Sequence, residues 1–379
     1  MQATLATPPT PASAPPGLNL QALTHWLTTN LPGFEGPVQA QRIDGGQSNP
    51  SWILRGARQA WVLRTKPAPQ AALPASAHAI EREFTVLQAL QRSGVPVPRT
   101  RVLCEDESVI GVAFYLMDFV EGRIFRDASL PGVPREERAA YFLEASRVMA
   151  ALHGVDWRAA GLQDFGRHDG YFGRLIRRWT QQYQAIAQGP QGPITAMDQL
   201  AAWLPAHIPA GADAAEHTCI THGDFRLENM IFHPTRPEVV ALLDWELSTL
   251  GHPFSDLAYN CLAWHMPAGI LRGYANQDIA ALGIPTEAEY IGHYCAQAGL
   301  DHAQVLADWP FYLAFNLFRL GAILHGIGAR ARDGTASSAS ANDIARMAAP
   351  AAQWGWAIAE ASTRSNPGPH SGHNPGTQA

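Results

Sequence analysis

Residues 220–232, ITHGDFRLENMIF, carry three polar groups where a plain core strand would carry none. His222, Asp224 and Asn229 lie between the apolar ends of the stretch, and Asn229 follows Asp224 by five positions. A second acid, Asp244, closes the apolar run VVALLDW at 239–245. Singly, Asp and Asn are turn and cap residues, favoured because their short side chains bond nearby backbone. As a set they suit a different task. A carboxylate and an amide oxygen can hold a hard divalent cation such as magnesium, which prefers oxygen ligands. The remaining acid can then face an incoming hydroxyl. Phosphoryl transfer asks a protein for this division of labour: positioning, charge neutralisation and a base near the nucleophile.

Composition sets the bounds. The chain has 379 residues, 46% hydrophobic and 16% charged, enough for a large core in two or three domains. A formal net charge of −6 with no basic block argues against nucleic acid and anionic membranes as partners. Cys104, Cys219, Cys261 and Cys295 are widely spaced without a CxxC, so neither a zinc site nor a disulfide framework is expected. That usage fits a reducing compartment, and the chain reads as cytoplasmic. The first residues, MQATLATPPTPASAPPG, lack the basic and apolar regions of a secretory signal. The apolar stretch FYLAFNLFRLGAILHGIGA contains Asn316, Arg319 and His325, which favours a buried helix over a membrane span.

Around the opening stretch the chain changes character once. Residues 40–66 read as strands interrupted by GGQSN, followed by a helix over 76–94 in which Ala79, Ile80, Phe84, Leu87 and Leu90 recur at helical spacing. VPVPRTRVLCED and GVAFYLMDFVEG read as two further strands. Beyond Pro134 a helix with Tyr141, Ala145, Val148, Met149 and Leu152 on one face opens a mostly helical region, broken by short strands near 218–245. The fold class is therefore α+β: a small antiparallel-sheet lobe, then a large mainly helical lobe. The expected division is a disordered tail at 1–18, an N-lobe at 19–120, a C-lobe at 121–360 and a disordered tail at 361–379.

HGDFRLEN resembles the protein-kinase catalytic loop H-R-D-L-x-x-x-N, with the same Asp-to-Asn spacing. Gly223 in place of arginine turns the resemblance toward aminoglycoside and choline kinase-like phosphotransferases, and LLDWE resembles that group's magnesium motif. Further blocks in order, among them GGQSNPSWIL, SAHAIEREF, YLMDFVEGRIF, FGRHDGYFGRLIRRW and FRLGAILHGI, are similar to a branch of that family. Its phosphotransferase domain stands alone in bacteria and is fused to acyl-CoA dehydrogenases in animals. The resemblance implies a bilobal protein-kinase-like fold using ATP and Mg2+. It implies Asp224 as the base, Arg226 facing the transferred phosphate, His222 in the catalytic loop as a backbone-bonding histidine, and Asn229 and Asp244 as metal ligands. Lys66, the one lysine of the sequence, is expected to meet the phosphates, with Arg64 on the same strand face able to contribute. Glu83, rather than Glu81 about 200° around the helix, is its expected partner. Gly45, Gly46 and Ser48 take the place of the phosphate-covering loop, and backbone groups of Asp118, Phe119 and Val120 fall where a hinge would hold adenine. Asp256 is expected to cap a helix and brace the catalytic loop, while His252 departs from the family's Asp or Asn.

The acceptor is less legible. Trp179, Tyr183, Tyr259, Trp264 and Arg319 are candidates for its pocket and equally for packing. A small hydroxyl compound is expected. The sparse acids of residues 255–330 and the kinship to fused dehydrogenases favour a hydroxyacyl acid or hydroxyacyl-CoA. The alternatives are an aminoglycoside, amino-alcohol or sugar, and a non-catalytic pseudokinase module. Oligomeric state has no signature in the sequence.

Overall fold

The computed structural model describes residues 18–43, 49–67, 80–268, 273–334 and 341–365. In chain order these form α1 (Leu20–Asn30), β1 (Gln39–Arg42), β2 (Ser51–Arg55), β3 (Ala60–Thr65), α2 (Ile80–Leu90), β4 (Thr100–Cys104), β5 (Phe114–Asp118) and α3 (Arg135–His153). Then come α4 (Tyr171–Ala187), α5 (Thr195–Trp203), β6 (Cys219–Thr221), β7 (Met230–Phe232), β8 (Val239–Leu242), β9 (Thr249–Gly251) and α6 (Pro253–His265). The chain continues through α7 (Ile279–Leu282), α8 (Glu287–Ala298), α9 (His302–Arg332), α10 (Ala341–Ala345) and α11 (Ala348–Ser365). Two compact units result. One gathers residues up to 166 with 219–250 and 278–298; the other gathers 167–218, 251–277 and the chain from 299. The expected terminal tails lie outside the described residues except at their inner edges, where Leu18 is buried and α11 runs on to Ser365.

The first unit is built on a five-stranded antiparallel sheet in the order β1-β2-β3-β5-β4. Strand alternation gives it two faces. Trp52, Leu54, Trp61, Leu63, Phe114 and Leu116 line one face and pack with Leu23 and Leu27 of α1. This helix was not anticipated, although its signals were present: Asn19 accepts from the Ala22 N–H as an N-cap, and Leu23 and Leu27 recur four apart. Tyr115 points the other way, toward α2, with its ring 5.9 Å from Phe84. The buried positions of α2 are Ile80, Glu83, Val86, Leu87 and Leu90, so one carboxylate lies on an otherwise apolar stripe. Arg82 anchors the same helix from another side. Its Nη2 donates to the Phe165 carbonyl at 2.7 Å, and its guanidinium stacks 4.2 Å from the Phe165 ring.

Past β5 the chain is stitched to the end of the opening stretch. Arg123 and Phe232 exchange backbone hydrogen bonds, each 2.8 Å long. That approach is possible because residue 122 is glycine: a Cβ there would lie 2.3 Å from the Phe232 carbonyl oxygen. Phe125, Tyr141 and Phe232 close the contact as an aromatic trio with centroids 5.2–5.4 Å apart. Farther on, α3 packs on α8, where His153 Nδ1 and the Tyr294 hydroxyl meet at 2.8 Å.

The second unit is helical around α9. Phe172, fully buried at the start of α4, touches the rings of Phe311, Tyr312 and Phe315. Asp213 fixes that helix start by accepting from the N–H groups of Phe172 and Gly173 at 2.7 and 3.0 Å. By length and composition α9 could cross a membrane, but 78% of its apolar window is buried within the protein, as expected for a core helix. The expectation that Asp256 caps a helix is corrected here. The cap of α6 is His252, whose Nδ1 accepts from the Phe254 N–H at 3.2 Å, while Asp256 is buried inside the first turn. An imidazole acceptor thus does what Asp or Asn would do at that position.

Replacing Gly122 by alanine is expected to destabilise the protein by about 1–3 kcal/mol, the usual cost of overpacking a tight contact. A urea titration reads this as a lower midpoint at constant slope, and an unchanged midpoint would show that the Arg123–Phe232 contact can yield.

Candidate functional site

The opening stretch folds as strand, tight turn and single 3-10 turn. β6 ends at Thr221, and the buried His222 follows. Its Nδ1 accepts from the Asp224 N–H at 3.2 Å, which leaves Nε2 as the protonated nitrogen, donating to the Leu243 carbonyl at 2.8 Å. Both ring nitrogens are therefore engaged with backbone, and the ring joins the loop bearing Asp224 to the segment carrying Asp244. A second bond does the same, from Leu243 N–H to the Asn229 carbonyl at 2.7 Å. Of the three loop residues singled out as catalytic, His222 thus braces, and Asp224 and Arg226 present the charged groups.

Gly223 has φ +86°, a conformation that side chains rarely adopt, and a Cβ on it would meet the Leu247 backbone oxygen at 2.6 Å. The loop passes so close to the turn after Asp244 that the family's glycine, where protein kinases carry arginine, has a steric reason here. Asn229 turns its amide inward. Its Nδ2 donates to the Asp224 backbone oxygen at 2.8 Å and to Asp224 Oδ2 at 2.9 Å, so Oδ1 is the atom left to meet a cation. Arg226 Nη2 also reaches Asp224 Oδ2, at 3.0 Å, and its Nη1 lies 3.6 Å from Glu228.

Asp244 follows β8 in the left-handed region, φ +67° and ψ +63°, unusual for a residue with a side chain. The turn that follows, residues 245–247, is held by Trp245 Nε1 donating to the Leu242 carbonyl at 3.0 Å. Asp244 Oδ1 accepts from Arg64 Nη2 at 3.0 Å. Glu83, Asp244 and Glu246 offer oxygens within 4.8 Å of one another. Hard oxygens from Asn229 and Asp244 are the donor type a magnesium ion takes, and Glu246, for which the sequence offered no role, adds a carboxylate beside Asp244.

Around Glu83 the arrangement differs from expectation. Its carboxylate is 1% exposed and accepts four hydrogen bonds. Arg64 Nε and Nη2 give two, at 2.6 and 2.8 Å; Tyr115 gives one at 2.9 Å, and Asn49 Nδ2 one at 2.9 Å. Lys66 and Glu83 do not pair with each other. Lys66 follows the last residue of β3 and pairs with Glu81, near the start of α2. Arg64 lies one repeat deeper on the same strand face, opposite Tyr115 in register, and so reaches the buried glutamate. Burial opposes the charge on Arg64, but the Glu83 hydrogen bond and charge, with Asp244, outweigh it and raise its pKa. Burial first, and then the Glu83 charge, push the Tyr115 hydroxyl well above its ordinary value, which keeps it a donor.

Asp118 ends β5. Its N–H donates to the Arg99 carbonyl at 2.9 Å, and the Phe119 N–H to the Ala60 carbonyl at 3.2 Å. Among the described residues those two donors belong to the sheet, which leaves Val120 as the N–H of the segment able to meet a base. The Asp118 carboxylate is held by Arg101 at 2.6 and 2.8 Å. Gly45, Gly46 and Ser48 lie outside the described residues. Of the acceptor candidates, Tyr183 is fully buried and bonded to Ile194 and Asp198, with its hydroxyl pushed up to about 12 by burial first. It packs. Arg319 lies 5.4 Å over the Tyr259 ring.

A small antiparallel sheet, a helix glutamate paired to a strand cation, an Asp–Asn loop and an Asp on the following turn define a protein of the kinase-like phosphotransferase class. The family model described as "Phosphotransferase enzyme family" (APH) matches residues 39–307, and the chain belongs to that family. It is similar to acyl-CoA dehydrogenase family member 10 of Mus musculus, 45% identical over 326 residues, which are 86% of this chain and 29% of that protein. The chain spans between 29% and 44% of the length of the curated relatives it matches. A solved structure from Ralstonia eutropha JMP134, provisionally labelled an aminoglycoside phosphotransferase, is 47% identical with a TM-score of 0.80, covering 91% of this chain and 99% of its own. Choline kinase from Cryptosporidium parvum shares the fold, with a TM-score of 0.62 at 10% identity, covering 91% of this chain and 96% of its own.

Gly223→Ala is expected to cost more stability than Gly111→Ala. The two glycines have nearly the same φ, +86° and +90°, but a Cβ at 111 meets nothing within 4 Å. Both variants carry the backbone strain of about 1–2 kcal/mol, and only the first adds the collision with Leu247. Paired thermal melts measure the difference, and equal losses would mean that the turn after Asp244 moves aside freely.

Proposed function

We propose that the protein is an ATP- and Mg2+-dependent phosphotransferase that moves the γ-phosphate to a hydroxyl of a small molecule. The observation that supports it is the junction of Asp224, Asn229 and Asp244, joined by the bonds of Asn229 to Asp224 and of Leu243 to Asn229. Asn229 Oδ1 and the Asp244 carboxylate would hold the metal, which supplies charge neutralisation on the phosphates when bound. Asp224 would accept or orient the proton of the acceptor hydroxyl. Arg226, beside it, would keep that carboxylate oriented and face the transferred group. The basic end of β3, Arg64 and Lys66, would meet the nucleotide phosphates, and Val120 the adenine. Completeness favours an enzyme over a nucleotide-holding pseudokinase, since every charged part has a residue.

For the acceptor, a hydroxyacyl acid or its CoA thioester is our first candidate, prompted by relatives named acyl-CoA dehydrogenase family members. The label of the Ralstonia structure favours an aminoglycoside. Incubation with ATP, Mg2+ and a panel of hydroxy acids, hydroxyacyl-CoAs, amino-alcohols, sugars and aminoglycosides, read as product mass, separates them; a panel without any phosphorylated product, with nucleotide still bound, would favour the pseudokinase.

Asp224→Asn keeps size and removes basicity. With the acceptor found, kcat is expected to fall by about 10²–10⁴-fold, the usual worth of a positioned base, while ATP affinity stays near wild type. Lost ATP binding with kcat preserved would move Asp224 to the nucleotide side, and a collapse seen only in His222→Ala would make the histidine the base. Asp244→Asn is expected to abolish turnover and weaken Mn2+ binding with the circular dichroism spectrum unchanged. An undiminished rate in that variant would remove Asp244 from the metal site.

A further inference from the structure

Arg64 sits between carboxylates with different duties in the proposed site. Its Nε and Nη2 hold Glu83, and the same Nη2 reaches Asp244 at 3.0 Å and lies 3.9 Å from Glu246. Lys66, the residue expected from the sequence to meet the phosphates, is paired with Glu81, in a contact where both side chains are about a third exposed.

We propose that Arg64, rather than Lys66, is the main cation for the nucleotide's phosphates, and that without nucleotide the same guanidinium occupies the Asp244 carboxylate that a divalent cation would take. This rests on the phosphotransferase reading above and assigns one residue's part in it.

Three features of the structure carry the inference. The first is anchoring. Glu83 is fixed by Tyr115 and Asn49 as well as by Arg64, so one edge of the guanidinium is held rigidly in the buried end of the site. The second is donor geometry. A guanidinium has five N–H donors in a planar fork, and the described contacts to Glu83 and Asp244 engage three of them. Arg64 can therefore keep its grip on Glu83 and still turn donors toward phosphate oxygens, the planar pairing for which arginine is suited. Lys66 has a single ammonium, drawn to the opposite side of α2. The third is charge. Three carboxylates whose oxygens come within 4.8 Å of one another repel unless a cation lies among them. Arg64 is a cation placed among them. With a divalent ion on Asp244, Arg64 would exchange a carboxylate partner for a phosphate, and the cluster would keep a neutralising charge. Arg64 thus couples metal and nucleotide: each makes room for the other through one side chain.

Calorimetry with Mg–ATP and paramagnetic titration with Mn2+ alone test this on wild type, Arg64→Gln, Arg64→Lys and Lys66→Ala. Arg64→Gln is expected to weaken ATP by about ten- to hundredfold, the worth of a charged hydrogen bond. It should at the same time tighten Mn2+ by about fivefold or more, since a competing positive charge some 4 Å away is gone. Arg64→Lys should recover part of the ATP affinity. Lys66→Ala should cost about two- to fivefold, as for an exposed charge. A purely structural Arg64 would not improve metal binding when removed. Should Arg64→Gln alone fail to fold because it strands Glu83, the double variant Arg64→Gln/Glu83→Gln carries the same expectation of weaker ATP than Lys66→Ala. Weaker or unchanged Mn2+ binding in Arg64→Gln, or a larger ATP loss in Lys66→Ala, overturns the assignment while leaving the phosphotransferase reading in place. Wild-type protein that binds no ATP overturns both.

Discussion

A carboxylate with 1% exposure cannot stay charged in a protein interior without compensation, and Glu83 is such a group. Breaking a buried ion pair by removing one partner typically costs about 3–5 kcal/mol, so the four donors around Glu83 are a condition of the fold as well as part of its site. Arg64 comes from β3, Tyr115 from β5 and Asn49 from the approach to β2, so the charge on α2 binds three segments of the sheet unit together. Because Arg64 also touches Asp244, the same guanidinium links the sheet to the turn that bears Asp244. Position of helix, strand and turn are then one problem with one solution.

His222 has the corresponding role on the other side of the site. With its two nitrogens on the Asp224 N–H and the Leu243 carbonyl, it holds the loop bearing Asp224 and Asn229 against the turn bearing Asp244. The Trp245 ring, 4.8 Å from the imidazole, completes that packing. Gly223 lets the loop approach at all. Three consecutive requirements (an imidazole, a residue without Cβ and a carboxylate) and an amide five residues on are met in one short stretch because each answers a different constraint of the same turn.

Membership of the phosphotransferase enzyme family and the likeness to mammalian acyl-CoA dehydrogenase family members stand on the whole kinase-like region. What differs from the motif is local. The strand cation that holds the helix glutamate is an arginine, and the lysine nearby is turned to Glu81. The cap of α6 is a histidine stacked on Tyr312, with ring centroids 5.5 Å apart. Both changes keep the function of the position, a cation in one and an acceptor in the other, with a different geometry.

Local sequence pattern set most of the elements and the order of the polar loop residues, though not α1. Period-two alternation placed β2 and β3, helical spacing placed α2 and α3, and the Asp–Asn–Asp order marked the candidate site, because these depend on neighbours along the chain. Fewer residues of the site's surroundings could be read that way. Both Arg64 and Lys66 share a strand face, and both Glu81 and Glu83 share a helix, so local pattern left two possible pairings. Tertiary structure decided between them through depth: Arg64 lies opposite Tyr115 in the middle of the sheet and meets the buried glutamate, whereas Lys66 lies past the strand's end and meets the outer one. The role of Tyr115 and Asn49, the nearness of Glu246, and the need for glycine at 122 and 223 were likewise set by segments far apart in sequence. Contacts of that kind are fixed by how deep each side chain is buried and by which backbone passes beside it, and neither quantity is written in the order of residues.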